Sequence, residues 1–136
     1  MNTRTFALVW GIGFLLVALS GFLMPMSGTP HPDLTMTHGY GEALGLFPVN
    51  TLHNLVHLLF GVWGLLASRS HAGARNYARA VAVVYALFIV MGLVPALSTT
   101  FGLVPLYGND VWLHALLALP AAYFGFMHRD TAGDRS

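Results

Sequence analysis

The chain has 136 residues, of which 56% are apolar and only 8% are charged. Ordinary soluble domains carry about 25% charged residues, so this composition favours a membrane protein over a soluble bundle. There is no cysteine, which excludes disulfides, thiolate metal sites and thiol nucleophiles. A net charge of +1 is too small for the basic surface of a nucleic-acid-binding protein.

Four apolar stretches approach the roughly 20 residues that are needed to cross the core of a bilayer. They run from about 5–24, 49–67, 77–94 and 110–127. The last contains Pro120, which is tolerated in a span because neighbouring helices can satisfy the carbonyl that it frees. The sequence therefore predicts an all-α fold, a four-transmembrane-helix bundle that forms a single integral membrane domain over residues 1–136.

The positive charges predict the orientation of this bundle. All of them are arginines: Arg4, Arg69, Arg75, Arg79, Arg129 and Arg135. The two other connections, about 25–48 and 95–109, contain no lysine or arginine. By the positive-inside rule the arginine side is cytoplasmic, so both termini are predicted to be cytoplasmic. His71 and His128 lie on that side and are expected to be solvated.

The long outer loop, about 25–48, opens with proline and glycine turn signals. Its second half, about Thr37 to Phe47, is expected either to form a short interfacial helix or to be irregular.

An internal repeat relates the four spans. An offset of 57 residues places GLFPVN over GLVPLY, His53 on Asp110 and His57 on His114, while the first and third spans align at an offset of 71 residues. This pattern predicts two repeated helical hairpins related by an axis along the membrane normal.

A polar stripe accompanies the repeat. On the second span the residues at helical spacing are Asn50, His53, Asn54, His57, Gly61, Gly64 and Ser68, and on the fourth they are Asp110, His114, Ala118, Ala121 and Gly125. Small residues in the same stripe let helices approach closely, so the polar side chains should face protein. His53, His57, Asp110 and His114 are therefore predicted to converge in the outer half of the bundle.

Three imidazoles and one carboxylate are ligands that suit zinc, copper or iron. Asn50, Asn54 and Asn109 could orient those ligands by hydrogen bonds. Four residues of the outer loop could cap the site or add a ligand: His31, Asp33, His38 and Glu42. The pair His57 and His114 could instead be the axial ligands of a haem, or the cluster could be a protonatable patch beside a quinone or another lipid-soluble ligand.

The alternative is that the polar cluster only holds helices together, in a scaffold or accessory subunit of a larger membrane complex. No nucleophile motif, phosphate loop or dinucleotide fingerprint is present, so the sequence predicts no catalytic residues and no enzyme without a metal or cofactor. The expected partners are the lipid bilayer and either further copies of the chain or a larger membrane complex, with no nucleic acid.

Three segments resemble a family of small bacterial four-helix membrane proteins that is known only as a domain of unknown function. They are Pro48 to Asn50, His53 to Gly61 and Trp112 to His114. The resemblance covers most of the chain and implies a four-helix fold in a bacterial inner membrane, but no substrate. A looser likeness to DoxX-type four-helix membrane proteins is architectural analogy.

Overall fold

The chain is described by a computed structural model that covers residues 1–23, 27–131 and 133. It contains four helices: α1 (Thr3–Leu23), α2 (Thr51–Ala67), α3 (His71–Leu93) and α4 (Asp110–Ala122). A short 3-10 turn spans Pro95–Leu97, and a π-helical turn over Tyr123–Met127 continues α4. The predicted helical fold with four helices is confirmed. The predicted end of the first span at Met24 and the first residues of the outer loop lie outside the described residues.

The start of α3 differs from the prediction. The helix begins at His71, six residues before the predicted position 77. Ser70 makes this possible because its hydroxyl oxygen accepts a hydrogen bond from the backbone N–H of Gly73 at 3.1 Å. Such a cap satisfies one of the free N–H groups of the first helical turn.

The outer loop contains a small hairpin, so the prediction of a short helix or an irregular segment there was wrong. Strand β1 (Gly41–Ala43) pairs antiparallel with β2 (Phe47–Val49). The turn between them uses positive φ angles of 57° at Leu44 and 67° at Gly45. Glycine adopts such angles without strain, and they reverse the chain within three residues.

Three helical segments are long and apolar enough to cross a membrane: Thr3–Leu23, His71–Leu93 and Asp110–Met127. The remaining helix, α2, is also apolar but has 17 residues, a length of about 26 Å against roughly 30 Å of hydrocarbon core. Every helix exposes large apolar side chains, among them Leu16, Leu59, Leu87 and Leu119. Such exposed surfaces are typical of helices that face lipid.

The helices pack chiefly as two pairs, α1 with α2 and α3 with α4, with α3 also contacting α1 and α2. Between α1 and α2 the backbones approach at Gly11 and Gly64, where a Cβ atom on Gly64 would lie 2.7 Å from the Cα atom of Gly11. The buried core between the pairs is aromatic and contains Phe6, Phe14, Tyr77, Tyr85 and Phe124.

The two ends of the bundle differ in chemistry. At one end, arginine side chains donate to backbone carbonyls: Arg4 to Ser68 at 3.0 Å and Arg79 to Gly125 at 3.0 Å. These bonds bring the start of α1, the α2–α3 turn and the end of α4 together. The outer loops lie at the other end. Arg135, which counted toward the predicted orientation, lies outside the described residues.

Candidate metal site

The start of α2 is held by Asn50, whose side chain caps the helix. Its Oδ1 atom accepts from the backbone N–H of His53 at 2.8 Å. Its Nδ2 atom donates to the carbonyls of Met36 and Leu103, both at 2.8 Å. Asn50 was expected to bond to a ligand side chain, but it instead joins α2 to both outer loops. This arrangement fixes the depth and rotation of α2 where His53 projects.

A compact buried group, the His/Asp cluster, consists of His53, Asp110 and His114. Each offers one ligand atom, and the three atoms lie within 4.8 Å of one another. The Oδ2 atom of Asp110 is 3.2 Å from Nε2 of His114 and 3.9 Å from Nε2 of His53. Two ligands of a tetrahedral zinc ion, each 2.0–2.1 Å from the metal, are about 3.4 Å apart, so the measured separations are close to those of a metal shell.

The cluster is buried, and most of its polar atoms lack a hydrogen bond to another described residue. Asp110 and His114 are 0% exposed and His53 is 2% exposed. Within the described part of the chain, both carboxylate oxygens of Asp110 and both ring nitrogens of His114 have no hydrogen-bond partner. A buried polar group without a partner is costly, and a buried carboxylate more so. A cation between these atoms would satisfy them.

Aromatic rings fix the orientation of His114. The ring centroids of Tyr85 and Phe88 are 5.0 Å and 5.6 Å from that of His114. The His53 ring lies 6.1 Å from His114 and 4.5 Å from His57, so it contacts both. The neighbouring rings therefore limit how the imidazoles of His53 and His114 can rotate.

His57, which was also predicted as a metal ligand, adjoins the His/Asp cluster but is not one of its three members. It is 2% exposed, and its ring stacks on Phe14 of α1 at 5.8 Å. Both His57 and Asp110 line a cavity of about 500 Å³ beneath the outer hairpin, together with Glu42 and Ser20. The cavity gives the cluster a route toward the outer loops.

The other predicted contributors are placed as follows. Asn54 is 1% exposed and its amide has no hydrogen-bond partner among the described residues. It contacts α1 at Gly21, where a Cβ atom would collide with the amide. Asn109 is exposed and donates to the carbonyl of Leu46 at 3.3 Å. This hydrogen bond goes to the outer loop, whereas the prediction had placed it at the cluster.

Three of the four outer-loop candidates engage other partners. The Nδ1 atom of His31 is 3.7 Å from the carboxylate of Asp33, which is itself exposed. His38 Nδ1 lies 2.9 Å from the hydroxyl of Thr51. Only Glu42 is found on the wall of the cavity that Asp110 and His57 line.

A second histidine–aspartate group lies at the arginine end, where solvated histidines were expected. His71 Nδ1 and His128 Nε2 are each 2.9 Å from the carboxylate of Asp130, whose side chain is 1% exposed. The backbone N–H of Thr3 also donates to this carboxylate at 3.0 Å. Burial alone would raise the pKa of Asp130, but the bond from Thr3 and the two histidines hold it below its usual value.

The sequence analysis did not identify Tyr85 and Phe88, whose rings contact His114. It also did not identify Gly21, where the absence of a Cβ atom leaves room for the Asn54 side chain. The repeat offered a signal for Tyr85, because the offset of 71 residues aligns it with Phe14, the residue that stacks on His57. Asp130 could have been noticed as one of only five carboxylates in the chain.

Comparison with known proteins finds a family model, described as a domain of unknown function (DUF4383), that matches residues 4–127. No curated protein and no solved structure gives a significant match. The match covers all four helices, so the chain belongs to the family described as domain of unknown function DUF4383.

Proposed function

We propose that this protein is a four-span membrane protein that binds a transition metal ion in the outer half of its bundle. The ligands are His53, Asp110 and His114. The observation that carries the proposal is the proximity of three buried ligand atoms, within 4.8 Å, on two different helices. No hydrogen bond within the described residues uses the carboxylate of Asp110 or the ring of His114.

Two imidazoles and one carboxylate are a ligand set for zinc or iron, and imidazole also suits copper. Three protein ligands leave at least one coordination position for water or another molecule. The cavity that Asp110 lines gives that position access from the outer loops. The aspartate also supplies negative charge to a divalent ion in a region of low dielectric constant.

A haem between His57 and His114 is less well supported by the packing. The His114 ring is already in contact with Tyr85, Phe88 and His53. A porphyrin plane would have to displace these rings. A metal ion requires only small side-chain adjustments, since two donor separations, 3.2 and 3.9 Å, approach those of a coordination shell and all three donor atoms lie within 4.8 Å of one another.

The proposed membrane topology places both termini in the cytoplasm of a bacterial cell and the His/Asp cluster toward the outer side of the inner membrane. The described arginines support it, because they lie at the end opposite to Asn50 and the outer loops. The fourth span is α2, an apolar helix of 17 residues that leads directly into the α2–α3 turn.

Metal content of the purified protein tests this proposal. The protein is loaded with Zn²⁺, Cu²⁺ or Fe²⁺, passed through a desalting column and measured by elemental analysis and absorption spectroscopy. We expect one ion per chain in the parent and a loss of that ion in His114→Gln. His31→Gln is the matched control, because His31 bonds in the outer loop. Equal metal content in parent and His114→Gln would refute the site, and co-purification with a larger assembly without metal would favour a scaffold.

A further inference from the structure

A groove separates α1 from α4, the two helices that form the open side of the bundle. It encloses about 380 Å³ and is bounded on the α1 side by Trp10 and Gly13 and on the α4 side by Leu116 and Pro120. Leu116 at the rim is 66% exposed, so the groove reaches the surface that faces lipid in the proposed topology.

One polar side chain ends this apolar groove. His57 lines both the groove and the neighbouring cavity of about 500 Å³, as do Val17 and Leu113. The residue is 2% exposed, and its Nδ1 atom has no hydrogen-bond partner among the described residues. A buried imidazole on the wall that the apolar groove shares with a second cavity suits a ligand with a hydrogen-bonding head and an apolar body.

We infer that the groove binds an uncharged lipid whose hydroxyl or carbonyl head reaches His57. Asp110 and Glu42 line the adjoining cavity, and in the metal-free protein their carboxyl groups disfavour an anionic head group such as a carboxylate or phosphate. A transmembrane helix of a second copy would cover the apolar walls but would bring an apolar surface against the His57 imidazole. This inference rests on the membrane placement proposed above but does not require the metal.

Gly13 allows the groove to be blocked without disturbing the fold. A Cβ atom on Gly13 would meet no atom within 4 Å, and the residue lies on the groove wall. Gly13→Phe therefore fills the groove. Ile12→Phe is the matched control, since it places the same ring at the same depth on a different face of α1, where Ile12 is 45% exposed.

Trp10 on the groove wall reports occupancy. In a Trp63→Phe, Trp112→Phe background, fluorescence quenching of Trp10 is titrated with 9,10-dibromooctadecanol in micelles of constant composition. The same titration uses 9,10-dibromostearic acid, which has the same chain and an anionic head. We expect saturable quenching by the alcohol, with about tenfold weaker binding in both Gly13→Phe and His57→Leu and unchanged binding in Ile12→Phe. The acid should bind about tenfold more weakly than the alcohol.

Equal alcohol titrations for the parent, Gly13→Phe and His57→Leu would overturn the lipid site, and equal binding of acid and alcohol would overturn the uncharged head. Dissociation of an oligomer by Gly13→Phe, without any change in quenching, would assign the groove to a second copy and also overturn the proposal. Metal content is measured on the same samples. Gly13→Phe should keep its metal, and His114→Gln should keep saturable quenching, so failure of the metal site and failure of the lipid site are distinguished.

Discussion

Replacement of Asp110 by asparagine separates a metal ligand from a structural hydrogen bond. The two side chains have nearly the same size, but asparagine lacks the negative charge. Asp110 is fully buried, with its Oδ2 atom 3.2 Å from His114 Nε2. If Asp110 only holds α4 against α2, through its contact with His53 Nε2 at 3.9 Å, Asp110→Asn removes a polar contact between membrane helices worth on average about 0.6 kcal/mol. If Asp110 binds metal, the metal-free protein changes little, because a neutral amide costs less to bury than an unpaired carboxylate.

The expected effect of metal can be calculated from linkage. Metal at 100 times its dissociation constant stabilises the parent against unfolding by about 2.7 kcal/mol. Loss of an orienting partner outside the coordination shell weakens metal binding by about 10- to 100-fold, so loss of a direct ligand should cost at least about 100-fold. At the same metal concentration, Asp110→Asn would then gain only about 0.4 kcal/mol. The difference of about 2.3 kcal/mol clearly exceeds the value for a structural hydrogen bond.

The assay measures the free energy of unfolding in mixed micelles, with and without Zn²⁺, for the parent, Asp110→Asn and Asp33→Asn. Asp33 is the matched control because its side chain is 74% exposed in the outer loop. We expect the parent and Asp33→Asn to gain the same stability from Zn²⁺. The reasoning is refuted if Asp110→Asn gains as much as the parent, or if no metal stabilises the parent while Asp110→Asn loses about 0.6 kcal/mol without metal.

Three further predictions concern the fold. The folded-state pKa of Asp130 is lowered from 3.8, so the stability that this carboxylate contributes is present above about pH 4 and disappears as the pH falls through the lower folded value. When the free energy of unfolding is measured at decreasing pH, Asp130→Asn should lose less stability than the parent. Equal losses of stability would contradict this. A Cβ atom on Gly64 would lie 2.7 Å from the backbone of α1, so Gly64→Val should destabilise the protein by about 1–3 kcal/mol. Gly13→Ala should not destabilise it, because a Cβ atom on Gly13 meets no atom within 4 Å. Equal unfolding temperatures for the two variants would count against this packing. Reporter fusions in the 68–70 turn should indicate cytoplasm and a fusion at Asp33 the outside, and the reverse result would overturn the orientation.

The helices were predictable because each contains a continuous apolar stretch of nearly membrane length. The early start of α3 was not predictable from the apolar pattern, because Arg75 and Arg79 interrupt that pattern. Only the cap at Ser70 marks the helix start. The outer hairpin was also missed. Its strands have three residues each, too few to show an alternating pattern, and its turn places a leucine, Leu44, at a positive φ angle.

Helical spacing correctly indicated that His53, His57, Asp110 and His114 face the protein interior, since all four are buried. Their role as metal ligands stays a prediction. The spacing did not resolve the position of His57. Residues four apart on a helix differ by about 40° in direction around its axis, and this rotation brings His57 against Phe14 of α1. The group around Asp130 was missed because arginines at that end suggested solvent, whereas contacts from distant parts of the chain bury the carboxylate.

The predicted repeat accounts for why the chain would contain one metal site and not two. Equivalent positions carry equivalent contacts: the His57 ring lies 5.8 Å from Phe14 and the His114 ring 5.0 Å from Tyr85. The hairpins differ one turn earlier, where the first has His53 and the second has Asp110. Because a divalent cation in a low-dielectric interior requires nearby negative charge, only the half with Asp110 can supply it. In the proposed metal site His53 completes the ligand set from across the bundle. His57, whose own helix has no carboxylate, then remains available to the lipid proposed for the groove between α1 and α4.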